Sequence, residues 1–432
     1  MTLVALRHFV AATGLVALIA YVAVYSDAEG DAPIHSDGYS YYVYLPATLI
    51  YKDVSLDALA REWYGGTYPG FTGIRRWPST GRWMNLHPIG VAILMTPFFL
   101  AADLLSGWSN LPRDGFSLYY QHAAALAGIV YLLAGLALLF RMLSRHFSPG
   151  VVLATLTCIT FGTNLFHYGV FDGVFSHVFS FFLVAVWLFL VERWWERPSV
   201  GDSVRLGIAA ALIVLTRHTD AIVLLVLPLY GVTRVSDLRA RIGELWRRRR
   251  PLLVATMVGA TGLVPQLALY RWTTGTWFPN PYGTFDVGFN WGSPRIVSVL
   301  FSTQKGLFFW SPLLLLTLIG AVVAEGWTRR LVLATSVVFA LETYLVACWW
   351  DWQLGASYGH RAFTDGLALA APFLATTFEW AAARPLARRL VSGIAVAAVL
   401  LSIVQMIQYW NGIMPNADTT WAQYRAQFLR LR

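Results

Sequence analysis

The sequence predicts an all-α polytopic membrane protein, and three observations carry that prediction. Of its residues, 57% are hydrophobic and only 13% charged. Apolar runs long enough to cross ~30 Å of hydrocarbon recur along the whole chain. The short connections between them are rich in arginine, as in Arg239-Ala240-Arg241 and Arg247 to Arg250. The net charge of +9 is therefore read as the positive-inside bias of membrane proteins, which argues against a nucleic-acid partner.

The first run, 4–25, is too long for the apolar core of a signal peptide and lacks a small-residue cleavage site, so a retained span is expected there. A polar stretch, 27–87, follows it. Long ordered loops tend to carry function. Further spans are expected near 118–140, 149–167, 174–191, 204–216, 219–233, 252–272, 307–324, 331–349, 362–380 and 388–410. The pieces 204–216 and 219–233 are short, and the polar cluster Thr216-Arg217-His218-Thr219-Asp220 between them needs protein or water around it.

The run 87–105 is apolar enough to cross, yet a crossing there would put Arg141 and Arg145 on the face of the long polar loops. A helix in, or dipping into, the outer leaflet keeps the alternation of basic and non-basic connections. The count is then about eleven crossings, within about ten to thirteen, with the N-terminus inside and the C-terminus outside. All of 1–432 forms one integral membrane domain. Its extracytoplasmic parts are a first loop, 27–105, with juxtamembrane helices, the loops 273–305 and 349–361, and the tail 411–432. Chemistry is expected on the extracytoplasmic side of the inner or plasma membrane. No inverted repeat of the transporter kind is visible.

Four constellations carry candidate chemistry. In Ser36-Asp37-Gly38-Tyr39, just past the first span, Asp37 is read either as a general base held beside aromatic rings or as a helix N-cap. Asp27, Glu29 and Asp31 read as solvated loop residues. In Trp349 to Arg361 an interfacial aromatic belt would explain Trp349, Trp350 and Trp352. It would not explain Gly355-Ala356-Ser357-Tyr358-Gly359-His360-Arg361, where glycines allow close approach and Arg361, beside His360, suits a phosphate oxygen. Lys305, one of the two lysines with Lys52, and Arg217 could converge with Arg361 on an anion or could snorkel to headgroups. Asp172 occupies a short outer loop, and His177 follows one turn inside the next helix, where catalytic and structural roles are both open. Cys158 and Cys348 offer no disulfide framework. A divalent metal at His35, Asp37 and His87 finds no support in ligand spacing.

In the order and sidedness of these residues the chain resembles the membrane glycosyltransferases of the GT-C fold, in particular bacterial relatives of protein O-mannosyltransferases and lipid A aminoarabinose transferases. The resemblance rests on Asp37 after the first span, His87-Pro88 before an apolar helix, Asp172 in the next outer loop, and the segment from Trp350-Asp351-Trp352 to Tyr358-Gly359-His360-Arg361. The chain departs from the pattern at Gly38, where a second acid is frequent, at Ile89, where a second proline is usual, and at Gly173, where proline is common.

What the resemblance implies is a GT-C-like fold and inverting transfer of a sugar from a polyprenyl-phosphate-linked donor to an acceptor hydroxyl on a glycan, glycolipid or protein. Asp37 would be the base. Arg361, His360, Lys305 and Arg217 would contact the donor phosphate, with His87, Asp172, His177, Tyr358 and Trp352 around the substrates. Aromatic residues of 63–83 and 349–358 would stack on sugar and guide the isoprenoid. The other reading of the residues is a polytopic transporter or lipid flippase of the cell envelope.

Overall fold

The computed structural model describes residues 2–25, 32–282 and 287–431, so Asp27, Glu29 and Asp31 lie outside the described residues. The described chain is nearly all-α. Helix α1 (Thr2–Tyr25) is followed by α2 (Ser36–Tyr42), a π-helical turn (Pro46–Ile50), α3 (Asp57–Tyr64), a 3₁₀ turn (Gly70–Thr72) and an antiparallel hairpin of β1 (Ile74–Arg76) and β2 (Trp83–Asn85). Next come α4 (Gly90–Trp108), α5 (Leu118–Leu143), α6 (Pro149–Phe161), α7 (Leu165–Val170), α8 (Ser176–Glu196) and α9 (Val200–Thr216). A 3₁₀ segment (His218–Leu225), α10 (Val226–Leu229), α11 (Leu238–Arg247) and α12 (Arg249–Thr274) follow. The rest comprises α13 (Ile296–Phe301), α14 (Leu307–Trp310), α15 (Leu315–Val322), α16 (Gly326–Arg329), α17 (Val332–Cys348), a 3₁₀ turn (Arg361–Thr364), α18 (Leu367–Ala382), α19 (Pro385–Trp410) and α20 (Trp421–Gln427).

Six of the described helices are long and apolar enough to cross a membrane: Val4–Tyr25 of α1, and α4, α5, α8, α12 and α19. These apolar helices make the chain a membrane protein. Four expected spans are not single long helices. The run 149–167 breaks at Gly162-Thr163-Asn164 into α6 and α7. The run 307–324 breaks at Ser311-Pro312, because proline has no N–H to continue the ladder. The runs 219–233 and 362–380 each begin as 3₁₀ turns.

The basic connections meet at one end of the bundle. There the Arg145 guanidinium lies 5.6 Å from the Phe189 ring, Arg248 donates to the Trp195 carbonyl at 2.9 Å, and His146 stacks on Trp327 at 4.3 Å. The opposite end carries the first loop. Its chain is anchored by buried polar bonds: Asn85 donates to the Ser40 carbonyl at 2.7 Å, Ser40 to the Thr72 carbonyl at 2.6 Å, and Tyr42 to the Gly115 carbonyl at 2.6 Å. The β1–β2 hairpin inside this loop is the departure from an all-α expectation, and Arg76 covers Trp83 at 4.2 Å.

Helix α4 decides how the first loop sits. It runs antiparallel to α5, with Tyr120 donating to Asp103 at 2.6 Å and Tyr131 to the Leu94 carbonyl at 2.8 Å. Its start abuts the end of α9, where a Cβ at Gly90 would collide with the Leu215 carbonyl group. That end of α9 is the one remote from the arginine-rich end. Helix α4 itself has the length and composition of a span.

Candidate functional site

Asp37 sits in the first turn of α2, after Ser36 in the left-handed region (φ 47°). The residue at the N-cap is His35, with no side-chain capping bond, so the capping reading of Asp37 does not hold. What fixes the carboxylate is the docking of α2 on the turn that precedes α8. A Cβ added at Gly38 would lie 3.2 Å from the Val174 side chain, so a bulky residue there would lift α2 from its support.

Arg361 reaches the same point from the far side of the sequence. The loop before it reverses through Leu354, Gly355 and Gly359, all at positive φ, and delivers the guanidinium from a 3₁₀ turn. Arg361 Nη1 lies 2.9 Å from Asp37 Oδ2, with the Asp37 side chain 30% and the Arg361 side chain 17% exposed. The pair is thus partly exposed. The Arg361 guanidinium also lies 6.0 Å from the Phe175 ring.

The charges set protonation states. Burial raises the proton affinity of the Asp37 carboxyl, but Arg361, His87 and His177 together hold it below the ordinary carboxylate value. Burial, with help from Arg361 and Arg217 and against Asp37, pulls the His87 imidazole down, so it is neutral near pH 7. His87 packs on Tyr41 at 4.3 Å, and its Nδ1 is buried without a hydrogen-bond partner. His87 is thus a neutral donor or acceptor beside Asp37.

A second polar layer lies beneath. His177 Nδ1 is 3.0 Å from Asp365 Oδ1, and Arg217 Nη1 is 3.2 Å from His177 Nε2. Arg217 Nε is 3.2 Å from Asp365 Oδ2 and 3.6 Å from Asp220 Oδ1. Arg217 is extended (φ −149°, ψ 122°), which ends α9 and turns its side chain inward. It is ion-paired to Asp365 and Asp220 as well as lying in the field of Asp37's neighbours. Glu342 borders this layer, with its carboxyl 3.7 Å from a Cβ position at Gly366.

Asp172 has a different geometry. It receives His167 Nε2 at 2.9 Å and faces His35 Nε2 at 3.3 Å. Trp410 Nε1–H donates to His167 Nδ1 at 2.8 Å; because indole can only donate, His167 carries its proton on Nε2 and gives it to Asp172. Burial opposes the Asp172 charge, but His167 and His35 hold its carboxyl well below the usual range. Asp172 ties the N-cap residue of α2 to the α7 turn, one step behind Asp37.

The other expected site residues face elsewhere. Lys305 Nζ donates to the Ser357 carbonyl and, at 2.8 Å, to the Asn416 carbonyl, so it pins the 349–361 loop to the C-terminal tail. Burial, then Arg361, brings the Lys305 amine down to about 7. His360 is buried, with neither ring nitrogen hydrogen-bonded, and burial together with Lys305 and Arg361 brings it down to about 3. A neutral His360 supplies no positive charge to an anion. Tyr358 is buried and donates to the Ser402 carbonyl at 2.8 Å, and Trp352 is only 2% exposed, so neither presents a face to a sugar.

Two apolar cavities flank the polar layers. One, of about 130 Å³, lies among α15, α17 and α18 and is bordered by Phe339, Glu342, Phe363 and Gly366. The other, of about 470 Å³, lies between the π-helical turn, α4 and α12, and is bordered by Tyr44, Thr48, Ile89 and Trp272. Tyr44 connects it to the polar centre by donating to the His87 carbonyl at 2.7 Å. Among the described residues, no group of three His, Cys, Asp or Glu side chains is placed to hold a metal ion.

The structure brings Asp37, Arg361, His87, His177 and Arg217 to one region, a convergence that sequence reasoning left open. That reasoning missed Asp365, although a carboxylate at the head of an apolar run is a functional candidate by its cost. It also missed His35 as a partner of Asp172. No family model matches this chain, and no curated protein or solved structure does either.

Proposed function

We propose that the protein is an inverting glycosyltransferase of the GT-C type, moving a sugar from a polyprenyl-phosphate-linked donor to an acceptor hydroxyl at the extracytoplasmic face. The observation that carries this reading is the Asp37–Arg361 pair at 2.9 Å. It unites a carboxylate and a guanidinium at the mouth of an apolar bundle. In this reading the topology is about eleven crossings, with α4 held in the outer half.

The acceptor O–H gives its proton to Asp37 while its oxygen bonds to the anomeric carbon. The bond from that carbon to the phosphate oxygen breaks, and its electron pair leaves with the phosphate. A lipid phosphate is already a competent leaving group, and Arg361 meets the charge that develops on it. As it stands Asp37 is a weak base, because Arg361 stabilises its charged form. A donor phosphate that engages Arg361 relieves that stabilisation, so the base strengthens once the donor is bound. His87, neutral and adjacent, orients the acceptor hydroxyl.

Transfer of radiolabelled sugar from polyprenyl phosphate in proteoliposomes tests the reading. Asp37→Asn is expected to abolish it, and wild-type transfer by that variant would remove Asp37 as the base. A second reading, a transporter or flippase, draws on the Arg217–Asp365–Asp220 layer buried in the bundle. Dithionite-resolved movement of a fluorescent lipid phosphate across vesicles without sugar transfer would favour it.

A further inference from the structure

The arginine-rich end carries a feature that sugar transfer does not use. Helix α11 has two unlike faces. One is docked: Arg241 donates to the Tyr230 carbonyl at 2.6 Å, lies 3.9 Å from the Trp195 ring and pairs with Glu244 at 2.8 Å. The other face is open. Ile242 and Trp246, one turn apart with Arg239 one turn before Ile242, are 68% and 70% exposed, and Val235 in the 3₁₀ turn (Val235–Asp237) before the helix is 72% exposed. Arg234, Arg239, Arg247, Arg249 and Arg250 are exposed too.

The two carboxylates of this segment do not neutralise that face. Asp237 accepts from the Arg234 backbone N–H at 3.1 Å and from the Thr233 hydroxyl at 3.2 Å, and Glu244 is paired with Arg241. The outward surface is therefore apolar and positive at once. Water would accept the guanidiniums but leave Ile242 and Trp246 wet, whereas hydrocarbon would accept those two and not the arginines. Only the headgroup layer takes both. The position agrees, because α12, one of the long apolar helices, begins at Arg249, directly after α11.

The geometry points to α11 as an in-plane docking face for anionic phospholipid headgroups, with Ile242 and Trp246 inserted below them and Arg239, Arg247, Arg249 and Arg250 on the phosphates. A second copy of the chain fits poorly, since a two-fold contact would set this positive face against itself. A soluble acidic protein or a nucleic acid would satisfy the arginines but leave Ile242 and Trp246 without a role. The inference does not depend on the reaction proposed above.

Fluorescence quenching of the full chain in nanodiscs tests it, with brominated phosphatidylglycerol or brominated phosphatidylcholine as probe. The Trp246 contribution is taken as the difference between the wild type and Trp246→Phe. Brominated phosphatidylglycerol is expected to quench that contribution at least twofold more than the zwitterionic lipid. The preference should collapse in 0.5 M salt and in a variant with Arg239, Arg247, Arg249 and Arg250 changed to Gln. The salt arm uses wild-type protein, so it reads the charge dependence even if the variant inserts poorly. Equal quenching by both lipids would overturn the headgroup preference. No quenching of Trp246 by either would mean that protein or water covers the face, and the proposal would fall.

Discussion

Arg361 Nη1 and Asp37 Oδ2 lie 2.9 Å apart although 324 positions separate them in the chain (361 − 37). The pairing makes each residue's chemistry depend on the other. Arg361 holds the Asp37 carboxyl low against a burial cost that would raise it. Removing the guanidinium leaves burial unopposed by its largest partner. In Arg361→Ala the acid limb of transfer should therefore move upward. The same variant should bind lipid phosphate more weakly. A pH–rate profile with an unmoved acid limb would show that Asp37 is not the group that titrates.

Gly38 explains a departure from the resemblance. Where a second acid is frequent, this chain has a glycine whose Cβ would sit 3.2 Å from Val174. Gly38→Ala should be tolerated with partial loss, because the Val174 side chain must yield by a few tenths of an ångström. Gly38→Glu should lose transfer and loosen α2, seen as faster proteolysis between residues 32 and 46. Full activity in Gly38→Glu would show that α2 need not dock on the Val174 turn.

How much of this was legible in the sequence follows from the physics of each residue. Asp37, Arg361 and Arg217 stand out because a charge next to an apolar run is costly, and that cost is visible in one dimension. Side-chain direction is not. Lys305, expected at the mouth of a span, and Tyr358 and Trp352, expected in the loop 349–361, turn toward carbonyls or into the core. The breaks at Gly162-Thr163-Asn164 and Ser311-Pro312 were hidden by continuous hydropathy, although proline and glycine marked them. Asp365 lay inside the expected span 362–380 without being singled out. It is the partner of His177 and Arg217 only once three distant segments meet.

Asp172 offers a way to separate tethering from substrate contact. His35 Nδ1 faces the Ala32 carbonyl at 2.9 Å, which only an N–H can satisfy. In Asp172→Asn the amide oxygen can still accept from His167, and the amide N–H can donate to His35 Nε2. Tethering therefore predicts retained transfer and a smaller stability loss for Asp172→Asn, which forfeits the charge but keeps the hydrogen bonds, than for Asp172→Ala, which loses about 1–3 kcal/mol more by leaving the buried His167 donor unpaired. A stable Asp172→Asn protein without transfer would instead assign the charge to substrate.

Lys305 gives the last test, one of stability with pH. Its amine is brought from an ordinary value of 10.5 to about 7 by burial and by Arg361. A neutral amine has two N–H donors, enough for the carbonyls of Ser357 and Asn416. Between pH 7 and 10.5 the unfolded chain holds this proton and the folded chain does not. The unfolded state then binds more protons, so stability must rise with pH across that window, by at most about 1.4 kcal/mol per pH unit from this group. Below pH 7 both states are protonated and the contribution is flat. Apparent melting temperatures in detergent at pH 7.0 and 9.5 should therefore climb more steeply for the wild type than for Lys305→Met. The slope is the readout, because the methionine also loses both hydrogen bonds and lowers stability at every pH. Parallel slopes would mean that Lys305 keeps its proton in the fold, as an ammonium bridging the 349–361 loop and the tail.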